Sequence, residues 1–137
     1  MENSTASVAQ QIAEAAVAFE RKRTGHVPDS VTVVLGNDTL VITLHGALTL
    51  AERALAQTAD GAREVQEFHR QLFKSSAAGL RQDINRITGV DVRDATTEVE
   101  TKTGTVVQVF SSGTVVQVFL LAKDVPAGSW SDTGKDA

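Results

Sequence analysis

The sequence predicts an α+β fold. One antiparallel sheet, made of an N-terminal hairpin and a C-terminal meander, is packed on one face by a first helix and a long helical segment. Three observations carry that expectation. Val31–Gly46, VTVVLGNDTLVITLHG, alternates in strand fashion on both sides of Asn37-Asp38. Apolar residues recur at helical spacing before it, from Val8, and after it, from Val65. The heptapeptide GTVVQVF at Gly104–Phe110 recurs letter for letter at Gly113–Phe119.

A chain of 137 residues suits one domain, with 42% apolar and 22% charged residues in an ordinary globular balance. The organisation expected is a frayed start over 1–7, one domain over 8–122 and a flexible tail over 123–137. The net charge is −4, with five Phe, one Trp and no Tyr. This argues against a nucleic-acid partner, which needs clustered cations and stacking rings. The one basic run, Arg21-Lys22-Arg23, falls at a helix end, where cations complement the dipole. Cysteine is absent, which excludes disulfides and thiol-ligated zinc and fits a reducing cytoplasm. MENSTAS lacks the basic start and apolar core of a secretory signal, and no run reaches the roughly 20 apolar residues of a membrane span. A soluble chain without direct membrane insertion is expected.

Val8, Ile12, Ala15, Ala16 and Phe19 form one stripe of the first helix, and Gly25 stops it. Pro28 then keeps the chain extended. With Asn37-Asp38 as a two-residue turn, Leu35 faces Leu40, Val33 faces Ile42 and Val31 faces Leu44, an all-aliphatic side. Thr49-Leu50-Ala51-Glu52 is a capping-box pattern that opens a short helix over 50–59. Asp60-Gly61 breaks or bends it. A helix follows from Ala62 to Thr88, with Val65, Phe68, Leu72, Leu80, Ile84 and Ile87 as its stripe and Gly89 as its stop. Its length invites packing against a second copy of the chain.

Val90 and Val92 begin a strand in one phase, and Ala95, Thr97 and Val99 continue it in the other, which implies a bulge near Arg93–Ala95. Thr101–Gly104 is a turn. Around Ser112-Gly113 the two heptapeptides pair as a hairpin, Val107 with Val118 and Val109 with Val116, and this face turns inward. The reverse face, Val106, Gln108 and Phe110 with Val115, Gln117 and Phe119, is left for a partner. Two alternatives stay open: a tandem duplication lying in an edge loop, and a swap in which the second copy takes the place of the first, within one chain or across a dimer. VVQVF is also a strong β-aggregation segment that needs a covered edge.

Chemistry-bearing patterns are sparse. His26, His45 and His69 lack the spaced carboxylate partners of a metal site, and His69 reads as a solvated helix residue. The carboxylates are scattered along charged faces. No P-loop, dinucleotide fingerprint or nucleophile elbow is present. No catalytic residue, metal or cofactor is therefore expected, and the chain reads as a non-enzyme. One polar cluster stands out: His45, Gly46, Thr49, Glu52 and Arg53, where a strand end meets a helix start. Helix-start N–H groups hold anions, so this corner is the candidate ligand site. A capped helix with surface charges explains the same residues.

The stretch Leu40–Leu55, LVITLHGALTLAERAL, resembles the signature of the MpsC-like family, a small bacterial domain. The resemblance runs from Val8 to Ala122 and is most specific at Gly46, Leu48, Thr49, Glu52 and Arg53. Val27 departs from it, since the family has Gly before the loop proline. The first heptapeptide stands where the family has an acidic loop. The resemblance implies a soluble accessory or interaction module of a membrane potential-generating or ion and inorganic-carbon uptake system. A homodimer is expected to bind a membrane transporter subunit and to be cytoplasmic, peripheral to the membrane through that partner. The alternative is a small-molecule or anion-binding regulatory domain.

Overall fold

The computed structural model of the chain describes residues 5–111 and 117–123. In chain order the elements are α1 (Thr5–Thr24), β1 (Ser30–Gly36), β2 (Thr39–His45), α2 (Leu50–Leu55), α3 (Ala59–Thr88), β3 (Asp94–Glu100) and β4 (Thr105–Ser111). The strands form one four-stranded antiparallel sheet in the order β1-β2-β4-β3, packed on one face by α1 and α3. The expected α+β class is borne out.

β1 and β2 pair in the predicted register: Leu35 opposite Leu40, Val33 opposite Ile42, Val31 opposite Leu44. Asn37 takes the positive φ of 48° that the tight turn requires. Leu40, Ile42 and Leu44 are buried, so the aliphatic side does face the helices. The turn at Thr101–Gly104 also forms, with Gly104 at φ 72° and its N–H donating to the Glu100 carbonyl at 2.9 Å.

The heptapeptide hairpin does not form. β4 holds the first copy and lies between two strands: Val107 is opposite Thr43 of β2 and Glu98 of β3, and Val109 is opposite Val41 and Thr96. A strand has only two edges, and here both are taken. Residues 117–121 lie outside the sheet, and Val118, Phe119, Leu120 and Leu121 are exposed. Residues 112–116, and the expected tail beyond Lys123, lie outside the described residues. The faces are also reversed from expectation. Val106, Gln108 and Phe110 are buried on the helix side, where Phe110 meets Phe73 with ring centroids 6.0 Å apart. Those three side chains offer no surface to a partner in this arrangement. Val115 is not among the described residues, while Gln117 and Phe119 are exposed beyond the sheet.

Three further expectations are corrected. β3 begins at Asp94, so the phase change from Val90 and Val92 falls in the connection and needs no bulge. The helical break comes at Ala56–Thr58, before Asp60-Gly61, because Thr58 caps α3 by accepting from the Gly61 N–H at 3.0 Å. The buried stripe of α3 is Val65, His69, Phe73, Ala77, Leu80 and Ile84, whereas Phe68 is 55% exposed. Spacing alone did not separate the two stripes, since Phe68 and Leu72 are one position off Phe73 and His69 on the helical wheel.

Gly61 lets α2 and α3 meet at a sharp corner. A Cβ built there would penetrate the Leu55 carbonyl oxygen, a backbone atom that cannot swing aside. Gly79, at mid-helix, has open space around it. Gly61→Ala should therefore destabilise the chain by about 1–3 kcal/mol through forced separation of the helices. Gly79→Ala should stabilise it by about 0.5–1 kcal/mol by removing unfolded-state entropy. Urea titrations of the two variants at fixed m-value check both signs.

Candidate functional site

The predicted corner is assembled from three loops. β2 ends at His45, and Gly46 turns the chain at φ 60°. The Asp29 carboxylate sits so close to Gly46 that any side chain there would collide with it. The Asp29 N–H donates to the His45 carbonyl at 2.7 Å, and the His26 imidazole Nε2 lies 2.9 Å from the Gly46 carbonyl oxygen. Ala47 and Leu48 then drop into the core, and the Ala47 N–H donates to the Gly104 carbonyl at 2.8 Å. The α1–β1 loop, the β2–α2 loop and the β3–β4 turn are thereby tied together.

Glu52 is the centre of the next layer. Its Oε1 accepts from the Thr49 N–H at 2.9 Å and the Thr49 hydroxyl at 3.2 Å, while the Glu52 N–H donates to Thr49 Oγ1 at 3.1 Å. This is the capping box foreseen in the sequence. Oε2 turns inward and accepts from His69 Nε2 at 2.7 Å. His69 is 1% exposed, so the expectation of a solvated histidine is overturned. Burial alone raises the Glu52 carboxyl. The bonds from His69 and Thr49, with the His69 charge, outweigh it and hold the carboxyl below its ordinary value.

The corner thus brings together Gly46, Thr49 and Glu52 and adds His26, Asp29 and His69. His45 is half-buried beside them, and Arg53 is exposed, with its N–H donating to the Thr49 carbonyl at 2.9 Å. The Thr49 N–H is already engaged by the Glu52 carboxylate and the Glu52 N–H by the Thr49 hydroxyl, and α2 has only six residues. Among the described residues no cluster of three or more His, Cys, Asp or Glu side chains would hold a metal.

Two polar groups went unseen in the sequence for a shared reason: each occupies an apolar stripe. His69 continues Val65 and precedes Phe73 at i+4 spacing, and that regularity was the available signal. Glu20 follows Ile12 and Ala16 at the same spacing on α1 and is fully buried. It pairs with Arg23 at 2.6 Å, whose guanidinium also lies 4.5 Å from the Phe19 ring centroid. Part of the basic run therefore faces inward instead of capping the helix end.

On the outside of the corner the chemistry is apolar. α2 buries none of its residues, and Leu50 is 85% exposed. Leu55 and Phe68 are exposed as well, Phe68 standing edge-on to the His69 ring at 5.6 Å. The Glu52–His69 bond fastens the short helix, while Leu50 at its start stands in water.

A family model described as Na+-translocating membrane potential-generating system (MpsC) matches residues 4–113. The chain is also similar to an uncharacterised protein, YbcI of Bacillus subtilis (strain 168). The two are 28% identical over 110 residues, which cover 80% of this chain and 89% of that protein. No solved structure matches the chain significantly.

The Glu52–His69 bond carries a pH signature. An unfolded glutamate titrates near about pH 4.3, and the folded value lies lower. The bond's contribution is complete above the unfolded value and is lost as pH falls through the folded one. Glu52→Gln should cost about 1–3 kcal/mol at pH 7. Its deficit against the wild type should shrink as pH falls below about 4. Denaturation at pH 7 and pH 3 checks this, and an equal deficit at both would show that the carboxylate charge plays no part.

Proposed function

Because the chain belongs to the MpsC family, we propose that it is a non-enzymatic accessory subunit of a membrane potential-generating system, docked through the outer face of α2. The observation that carries this reading is the exposed apolar set Leu50, Leu55 and Phe68 around the buried Glu52–His69 bond. Isolated exposed leucines are common. A helix of six residues that buries none of them, yet is held in place by a capping box and a buried imidazole, is different. Its shape is set before any partner arrives, which lowers the ordering cost of binding.

The described helices include none long and apolar enough to cross a membrane. The work of a potential-generating system takes place across one, so the partner in this reading is a membrane-embedded subunit. A second copy of the chain is a weaker choice of partner, since Val106, Gln108 and Phe110 are covered by helices. In the same reading the Glu52–His69 pair fastens α2 and does no chemistry.

The test is complementation. In cells lacking the chain, the sodium-dependent membrane potential, read with a potential-sensitive dye, should fall and recover with the wild type. A Leu50→Asp variant should match the wild-type melting temperature, because that side chain is 85% exposed, yet fail to restore the potential or to sediment with membranes. Full rescue by that variant would remove the α2 face as the docking surface. An unchanged potential in the deleted cells would remove the accessory role itself.

A further inference from the structure

We propose that the slot between β2 and β3 accepts either copy of the heptapeptide, so that the chain switches between two strand registers nine residues apart. The slot is now filled by Thr105–Ser111. Sliding the chain by nine residues puts Thr114–Leu120 there, and six of those seven residues are identical to the ones replaced. Val115, Gln117 and Phe119 take the inward positions of Val106, Gln108 and Phe110. Gly113 takes the place of Gly104, so the positive φ of 72° before the strand still falls on glycine. Every buried contact of β4 is thereby reproduced. The only change within the strand is Leu120 for Ser111, opposite Thr39 and Asp94.

The two registers differ at their ends, and the differences oppose each other. The first copy has the shorter connection. The β3–β4 link spans residues 101–104 now and would span 101–113 after the slide, which disfavours the second register about sixfold by loop closure. The second copy has the better exit. An apolar cleft of about 220 Å³ opens at the end of β4, bordered by Leu35, Leu40, Ile84, Val92 and Phe110. Side chains alternate along a strand, so a slid register puts the second residue after Phe119 inward. That residue is Leu121, which is exposed at present along with Val118, Phe119 and Leu120. Burying a leucine in an apolar cleft favours that register by roughly tenfold or more. Neither end effect is large enough to silence the other.

The switch changes which copy of VVQVF lies outside the slot. With the first copy in the slot, the strand ends beside the β1–β2 turn, where Ser111 is opposite Thr39. With the second copy in the slot, VVQVF belongs to the β3–β4 link, beside Ala47, whose N–H bonds the Gly104 carbonyl in the present register, and so beside the start of α2. This inference does not depend on the docking role of α2.

Four variants of the full chain test it, each read by urea unfolding and by solution mass. Phe110→Asp should fold cooperatively with the solution mass of the wild type, and with its folded-to-unfolded ratio lowered by about tenfold at most, since Phe119 replaces the lost ring. Phe119→Asp should be close to wild type. The double variant should not fold. Deletion of residues 104–112, which leaves only the second copy behind a short link, should fold fully. Unfolding of Phe110→Asp, or of the deletion, would overturn the switch, because the slot would then accept the first copy alone. Unfolding of Phe119→Asp would overturn it in the other direction. A Phe110→Asp variant that folds only as a dimer would replace exchange within the chain by exchange between chains.

Discussion

β4 is hydrogen-bonded along both edges, to β2 on one side and β3 on the other. Until it is in place, the β1–β2 hairpin and β3 share no ladder, and a two-stranded hairpin alone is marginal in water. Its inward side chains, Val106 and Phe110, also complete the apolar face against which α1 and α3 pack. The sheet therefore closes only when residues as distant in the chain as Thr39 and Ser111 meet, a non-local step whose closure entropy must be met before its contacts form. A chain with two copies of that strand has two chances to take the step.

The same strand reaches the candidate corner. The carbonyl of Gly104, just before β4, accepts from Ala47, and Ala47 leads directly into the capped start of α2. The corner is built largely from polar bonds: Asp29 to His45, His26 to Gly46, Thr49 to Glu52 and Glu52 to His69. Polar bonds of this kind add modest net stability but are costly to break once buried, so they hold one geometry in preference to others. The Glu20–Arg23 pair acts similarly at the end of α1, where desolvation offsets much of the attraction. The apolar core gives the domain its cohesion, and these pairs set how its corner is arranged.

That division of labour connects the structure to its family. A membrane potential-generating system works across a bilayer, and no described helix of this chain is long and apolar enough to enter one. What the chain presents outward is a short, locked helix with leucines in water. The Glu52–His69 bond fastens that helix to α3.

Much of the fold was legible in the residues because it is local. The N-terminal hairpin register, the Asn37 turn, the Thr49–Glu52 capping box and the Gly25 and Gly89 helix ends follow from alternation, propensity and capping within a few positions. The class of fold and the family resemblance rest on that same local information. Long-range choices were not legible. The heptapeptide repeat satisfies a hairpin with itself as well as it satisfies β2 and β3, and only the competition for β4's two edges decides between them. In α3, Val65-x-x-Phe68 and Val65-x-x-x-His69 are both helical spacings. The sheet selected the second because Glu52, brought from another helix, supplies the acceptor that makes a buried imidazole tolerable. What the sequence by itself determined is each element and the side chains it could bury. What the tertiary structure decided is which of those faces is buried, because that depends on partners distant in the chain.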